Sequence, residues 1–179
     1  IQAFGRGPNQ IGEIVIVNLE RQPQRLKRTL QELRKFRSSE GIPLSAMVRR
    51  LDAVDARDGR AVAATPDVDQ TYSLGNQLYV QPDARLKECF IEEEQINMTR
   101  QEVAVARSHI EVWKSIVKGT HTYVLVLEDD IWFTHGAGQA IDRGWNAAVS
   151  RSNKTEGPHL VYLSYEDAGG TVERVEVCK

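Results

Sequence analysis

Thr122-Tyr-Val-Leu-Val-Leu-Glu128-Asp129-Asp130-Ile131-Trp-Phe133 is the stretch that decides how this chain is read. Residues 122–127 form a continuous run of β-branched, aromatic and aliphatic side chains, with Gly119 before it and charge after it. Such a run predicts a strand buried on both faces, which in a mixed chain means the centre of a parallel sheet. Three carboxylates then arrive together where the strand ends. Open α/β sheets bind ligands in the crevice outside the carboxyl ends of their strands. Three acids converging there repel one another unless a cation or protonation relieves them. A hard divalent ion, Mn²⁺ or Mg²⁺, carrying a phosphate-bearing substrate suits such oxygen donors. The plainer reading is a strand that runs into a solvated acidic turn.

Working outward, Glu13-Ile-Val-Ile-Val-Asn18 reads as a second buried strand, announced by Gly12. Pro23 then suits the first turn of a helix, and Leu26, Leu30, Leu33 and Phe36 follow at helical spacing. That amphipathic helix is expected to end near Ser38 and Gly41. Its other faces carry Arg25, Lys27, Arg28, Arg34, Lys35 and Arg37 against a single Glu32. One reading is a solvated helix face. The other is attraction to anionic lipid, glycolipid or phosphate, giving peripheral membrane contact through the basic helix 23–37. Asn18, Arg21 and Arg25 flank the strand-to-helix turn, where an anion can settle on exposed backbone amides with guanidinium support. Residues 47–55 read as a third strand that places Asp55 at another strand end. Residues 61–98, broken by Pro66, Gly75-Asn76 and Pro82, read as a long excursion with a short helix over 87–94.

Thr99-Arg-Gln-Glu102 is a capping box, in which hydroxyl and carboxylate each satisfy an orphan amide. Val103, Ala106, Ile110, Trp113 and Val117 then predict one apolar helix face, and Gly119 the stop. His109, with Ser108 next to it, sits beside that stripe. It reads either as a packing residue or as a general acid or base or phosphate ligand. A helical segment over Ile141–Val149, a short strand Leu160–Ser164 and an edge strand or hairpin arm Thr171–Val177 complete the alternation. The pattern predicts an α/β fold, one domain over residues 1–179, with a mostly parallel central sheet flanked by helices.

With 179 residues and 41% hydrophobic content, the chain can bury a sizeable core. A formal charge of −2 argues against nucleic acid bound by bulk electrostatics. Cys89 and Cys178 have no metal-type spacing and read as free thiols in a reducing compartment, hence a cytoplasmic location, peripheral to the membrane if the basic helix docks. No apolar run approaches the roughly 20 residues of a membrane span. A start on Ile1 rather than Met, and an end on the strand-like Val175–Lys179, lead us to expect further residues at both ends.

These segments resemble glycosyltransferase family 25, which includes lipooligosaccharide and collagen galactosyltransferases. Ile16–Arg25 resembles its opening motif of an apolar strand, Asn-Leu and spaced arginines. Ala53-Val-Asp-Ala56 resembles its Ala-Val/Ile-Asp-Gly element. Glu102–Lys114, with Ser108-His109 and Trp113-Lys114 inside, resembles its Glu…Ser-His…Trp-Lys helix. Leu125–Ile131 resembles its Leu-Glu-Asp-Asp hallmark, and Leu160–Leu163 is a fainter fifth match. The chain departs from the family at Gln101 and Ala56, where glycines are usual, and at Ala104-Val105 in place of Gly-Cys. None of these removes a carboxylate, although Ala56 bears on close backbone approach to a ligand. Motifs that normally follow, on the acceptor side, are missing from the chain.

The resemblance implies a GT-A type nucleotide-sugar-binding domain that moves a hexose, galactose favoured, from a UDP-sugar to a glycan, glycolipid or glycoprotein acceptor. The implied reaction is metal-dependent and inverting. Asp130 would bind the metal directly, Asp129 in either role, and Glu128 near the ribose or through water. Asn18, Arg21, Arg25 and Ser108 would border the nucleotide, with Asp55 near its base or ribose. His109, Glu166 and Asp167 are the candidate bases for the acceptor hydroxyl. Two other readings compete. An inactive binding or adhesion module would be expected to lose the acidic cluster, which is kept. A metal-dependent phosphotransferase would be expected to show a nucleophilic Asp or a Walker-type loop after the first strand, and Asn18-Leu-Glu-Arg offers neither.

Overall fold

The computed structural model describes residues 1–58, 68–73, 95–152 and 157–163. In chain order these contain β1 (Ile11–Asn18), α1 (Pro23–Leu33), a 3₁₀ turn (Leu44–Met47), β2 (Val48–Asp52), β3 (Thr71–Tyr72), β4 (Ile96–Asn97), α2 (Arg100–Val117), β5 (Tyr123–Glu128) and α3 (Ala137–Arg151). Two compact units emerge. The first holds Ile1–Ala53 and Ser108–Leu163, the second Val54–Arg107. No helix among the described residues is long and apolar enough to cross a membrane.

The first unit is built on a three-stranded parallel sheet of order β2-β1-β5. Ile14 lies opposite Val48 on one side and Leu125 on the other. Alternation along β1 feeds two cores. Ile14 and Ile16 face Leu33 of α1 and Trp145 of α3, with Leu26, Leu30, Ile141 and Val149 packed around them. Val15 and Val17 face Val112 of α2, with Ile116, Val124 and Val126. Helices on both faces are what a doubly apolar strand requires. Burying each of Ile14, Val15 and Ile16, all fully enclosed, is worth roughly 1.5–3 kcal/mol. The indole N–H of Trp145 donates to the Asn9 carbonyl at 2.7 Å, and its ring meets Tyr123 edge-on at 4.9 Å.

Several expectations are corrected. Among the described residues the central strand is β1, with β5 beside it, because β1 alone is laddered on both sides. Helix α1 stops at Leu33 rather than near Ser38. Tighter turns follow, Lys35 N–H to the Glu32 carbonyl and Phe36 N–H to that of Leu33, before Arg37 bridges Pro43 across a turn made by Gly41 at φ 79°. On α2 the buried residues are Val103, Ala104, Ser108 and Val112, so of the predicted Val103–Ala106–Ile110–Trp113–Val117 face only Val103 is buried. Trp113 and Val117 are exposed, because the helix meets β1 through Val112. Leu160–Leu163 forms no strand, and Leu160 and Tyr162 are exposed. The short helix over 87–94, the edge strand 171–177, Cys89 and Cys178 lie outside the described residues.

The second unit contains an antiparallel pair, Thr71 opposite Asn97 and Tyr72 opposite Ile96. The capping box of α2 forms as its spacing predicts. Thr99 donates to the Glu102 carboxylate from its N–H at 2.6 Å and its hydroxyl at 2.8 Å, while Glu102 N–H returns to the hydroxyl at 3.2 Å. Those two donations hold the Glu102 carboxyl below its ordinary range.

Candidate functional site at the strand ends

In the first unit, β1 and β5 end side by side, Val17 opposite Glu128. Asn18, the last residue of β1, is buried at 1% exposure. Its amide nitrogen donates to the Gln22 carbonyl at 3.0 Å and to Asp129 Oδ2 at 2.6 Å. Its amide oxygen accepts from Arg50 Nε at 3.0 Å. Only a side chain with both donors and an acceptor does all three, which is why an amide stands here and not a carboxylate. One residue therefore ties the β1–α1 turn, the acidic turn and β2 together.

The helix that follows supplies the second clamp. Pro23 sets the first turn of α1, and Arg25 projects from it toward the acids. Its guanidinium contacts Asp129 Oδ1 at 2.9 Å and also pairs with the Asp130 carboxylate. One turn on, the Thr29 hydroxyl donates to the Asp129 backbone carbonyl at 2.9 Å. Asp129 is 7% exposed, and a buried carboxylate is tolerated only when paired and hydrogen-bonded. Asn18 and Arg25 meet both conditions. Thr29 and Arg50 belong to this site although neither is a sequence candidate. The available signal was Thr29 among leucines, four residues after Arg25.

The three acids thus part company. Asp129 turns inward, while Glu128 and Asp130 are exposed. Glu128 Oε1 lies 3.6 Å from His109 Nε2 on α2, an ion-pair distance longer than a hydrogen bond. Ser108 is buried beside it, and Arg21 is exposed in the β1–α1 turn. Asp55 belongs to the second unit, where its carboxylate accepts the Arg57 N–H at 2.9 Å. Glu166 and Asp167 lie outside the described residues.

Among the described residues, no three His, Cys, Asp or Glu side chains form a group able to hold a metal by themselves. The donor chemistry fits a narrower role. Asp129 faces inward with Asn18 on Oδ2 and Arg25 on Oδ1, and Glu128 and Asp130 are the exposed hard-oxygen donors. Mg²⁺-type ions commonly take one or two carboxylates and complete their shell with substrate phosphates and water.

A parallel sheet covered by helices on both faces, with charged and amide side chains gathered at the carboxyl ends of its strands, defines a ligand-binding α/β protein. Residues 11–154 match the family described as glycosyltransferase family 25 (LPS biosynthesis protein), and the chain belongs to that family. It is accordingly a glycosyltransferase by family. No curated protein and no solved structure matches it.

Proposed function

We propose that the protein transfers a hexose, galactose favoured, from a UDP-sugar to a glycan, glycolipid or protein acceptor, in a metal-dependent, inverting reaction on a GT-A type scaffold. The observation that carries this reading is the acidic turn at the ends of β1 and β5. It holds one carboxylate locked inside and two exposed, with Arg25 bridging Asp129 and Asp130. Asp130 and Glu128 are the residues that would hold Mn²⁺ or Mg²⁺ together with the donor diphosphate. When bound, the ion offsets the negative charge that builds on the leaving diphosphate. Asp129 keeps the turn in place through Asn18 and Thr29. Arg25, partly exposed while it pairs with Asp129 and Asp130, has further guanidinium N–H donors to offer a phosphate oxygen.

In the inverting step the acceptor oxygen attacks the anomeric carbon from the face opposite the diphosphate. The bond from that carbon to the diphosphate oxygen breaks, and the electron pair leaves with the diphosphate. The acceptor proton needs a base. His109 is our choice among the described candidates, because Glu128 faces its Nε2 and stabilises the imidazolium as it forms. Glu128 is then a positioning residue as well as a donor to the metal. Glu166 and Asp167 remain the alternative bases.

Calorimetric titration of UDP, UDP-galactose and UDP-glucose, with and without Mn²⁺, tests this on the wild type and Asp130→Ala. The expected result is binding that requires the ion and is lost in the variant. Binding indifferent to both the ion and the substitution overturns the metal-assisted reading. His109→Ala is expected to lower kcat by about 10²-fold or more, on the order of what general-base removal costs, with donor binding intact.

A further inference from the structure

We propose that the outer face of α1, together with Trp132, is a docking surface for an anionic lipid bilayer. Helix α1 buries Thr29 and Leu33 and packs Leu26 and Leu30 against the sheet. On the opposite side, Lys27, Arg28, Gln31, Arg34 and Lys35 are all exposed. Lys27, Arg28 and Gln31, at i, i+1 and i+4, share one face of α1, and Arg34 and Lys35 extend it into the turn just past Leu33. Among the described residues, Lys27, Arg28 and Arg34 have no acidic partner, and only Lys35 is engaged, with Glu32. Four cations with a single carboxylate, Glu32, at their edge attract an extended anionic surface. A solvated helix more often intersperses its charges.

The second observation is an aromatic side chain held open at the flank of the same helix. The Glu32 carboxylate lies near the Phe133 backbone, and the Phe133 ring packs edge-on against Phe36 at 5.1 Å. Thr29 holds the Asp129 carbonyl and Arg25 the acidic side chains. The segment 129–133 is therefore laid along α1. With Phe133 turned inward, its neighbour Trp132 stands out at 76% exposure. The residues of α1 that reach this segment, Arg25 and Glu32, lie one flank over from Arg28 and Lys35, each three residues further on. Cations beside an exposed indole are the pairing that suits a bilayer interface, where guanidinium and ammonium groups meet headgroup phosphates and the amphipathic ring sits among them. Docking there would set Asp130, two residues before Trp132, at the bilayer surface.

The test is co-sedimentation of the whole chain with vesicles of phosphatidylcholine alone and with about 30% phosphatidylglycerol, each basic side chain near such a surface contributing about fivefold to binding. The wild type should bind the anionic vesicles and not the neutral ones. Raising the salt from about 0.1 M to about 1 M, which shortens the screening length from about 10 Å to about 3 Å, should release it. The quadruple substitution Lys27→Glu, Arg28→Glu, Arg34→Glu, Lys35→Glu should lose at least about a hundredfold. It should keep its far-UV circular dichroism and its UDP affinity, since none of the four side chains contacts the acidic turn. In a Trp113→Phe background, emission from Trp132 should shift to the blue on binding, and Trp132→Ala should abolish the shift. Equal binding to neutral vesicles, undiminished binding by the folded quadruple variant, or capture of a soluble polyanion such as heparin without capture of vesicles would overturn the proposal.

Discussion

Replacing Asn18 by alanine tests the organisation of the strand ends directly. The substitution deletes three hydrogen bonds, to the Gln22 carbonyl, Asp129 Oδ2 and Arg50 Nε. Their weights differ. Asp129 is 7% exposed, so its Oδ2 loses a donor that water replaces poorly, at about 1–3 kcal/mol. The Gln22 carbonyl and the Arg50 guanidinium are partly open to solvent, and each loss costs about 0.5–1 kcal/mol. The sum is roughly 2–5 kcal/mol, a large fraction of the 5–15 kcal/mol by which a typical domain is stable. In a chain of this size that corresponds to a fall in Tm of roughly 4–20 °C. Near-UV circular dichroism, which reports on the buried Trp145, follows the transition. Asn18→Asp sharpens the test because it preserves shape and reverses chemistry: a second carboxylate then faces Asp129 where an amide now donates. At neutral pH this variant should be less stable than the alanine variant. The deficit should shrink as the pH falls and one of the two acids takes a proton. An alanine variant within about 1 kcal/mol of wild type, or an Asp variant no worse than Ala, would refute the argument that Asn18 is what makes a buried Asp129 tolerable.

Other consequences follow from local geometry. Gly12 packs against the His121 imidazole, so the Cβ of Gly12→Ala would collide with the ring. The cost should be roughly 1–3 kcal/mol by urea denaturation, and Gly12→Ala with His121→Ala should recover most of it. A double variant no more stable than the single one would show that the ring is not the obstacle. At the start of α2, Thr99 depresses the Glu102 carboxyl, so the cap stabilises the folded form above the ordinary carboxylate pKa. That stabilisation is lost as the pH falls through the lowered folded value. Protection of the amides in the first turn of α2, relative to their intrinsic exchange at each pH, should therefore fall in acid. Thr99→Ala should weaken that pH dependence while its backbone N–H keeps part of it, and Glu102→Gln should remove it. Protection that stays flat across that range in the wild type would count against the cap. At the site, Arg25→Met leaves the inward carboxylate of Asp129 without its cation. Stability should fall by about 1.5–3 kcal/mol, the range for hydrogen bonds to charged groups, and UDP affinity should fall with it.

Periodicity makes the strands and helices legible, because alternation and three-to-four spacing are local properties. The run Ile14-Val-Ile-Val17 is enough by itself to mark β1, and the capping box locates the start of α2 to the residue. What stays hidden is non-local. Whether Trp113 or Val112 turns inward on α2 depends on which side of the helix meets β1, and both choices leave an apolar stripe. The acidic turn shows the same limit. Glu128, Asp129 and Asp130 look equivalent in sequence, and what separates them is an amide 111 residues away in the chain, an arginine and a threonine on α1. Spacing alone carries α1 too far, because Phe36 continues the apolar pattern past the last helical turn.

The order of the strands also bears on how the molecule is made. Asn18 reaches Arg50 of β2 across 32 residues but Asp129 across 111. A nascent chain can close β1, α1 and β2 early, since loop-closure entropy favours the shorter span. The other side of β1 must then wait until β5 has been synthesised. Throughout that interval the Ile14–Val17 backbone presents an open, strongly apolar edge, the kind of edge on which incomplete chains associate. Chaperone dependence and losses to aggregation should therefore be governed by how quickly residues 123–128 emerge and pair.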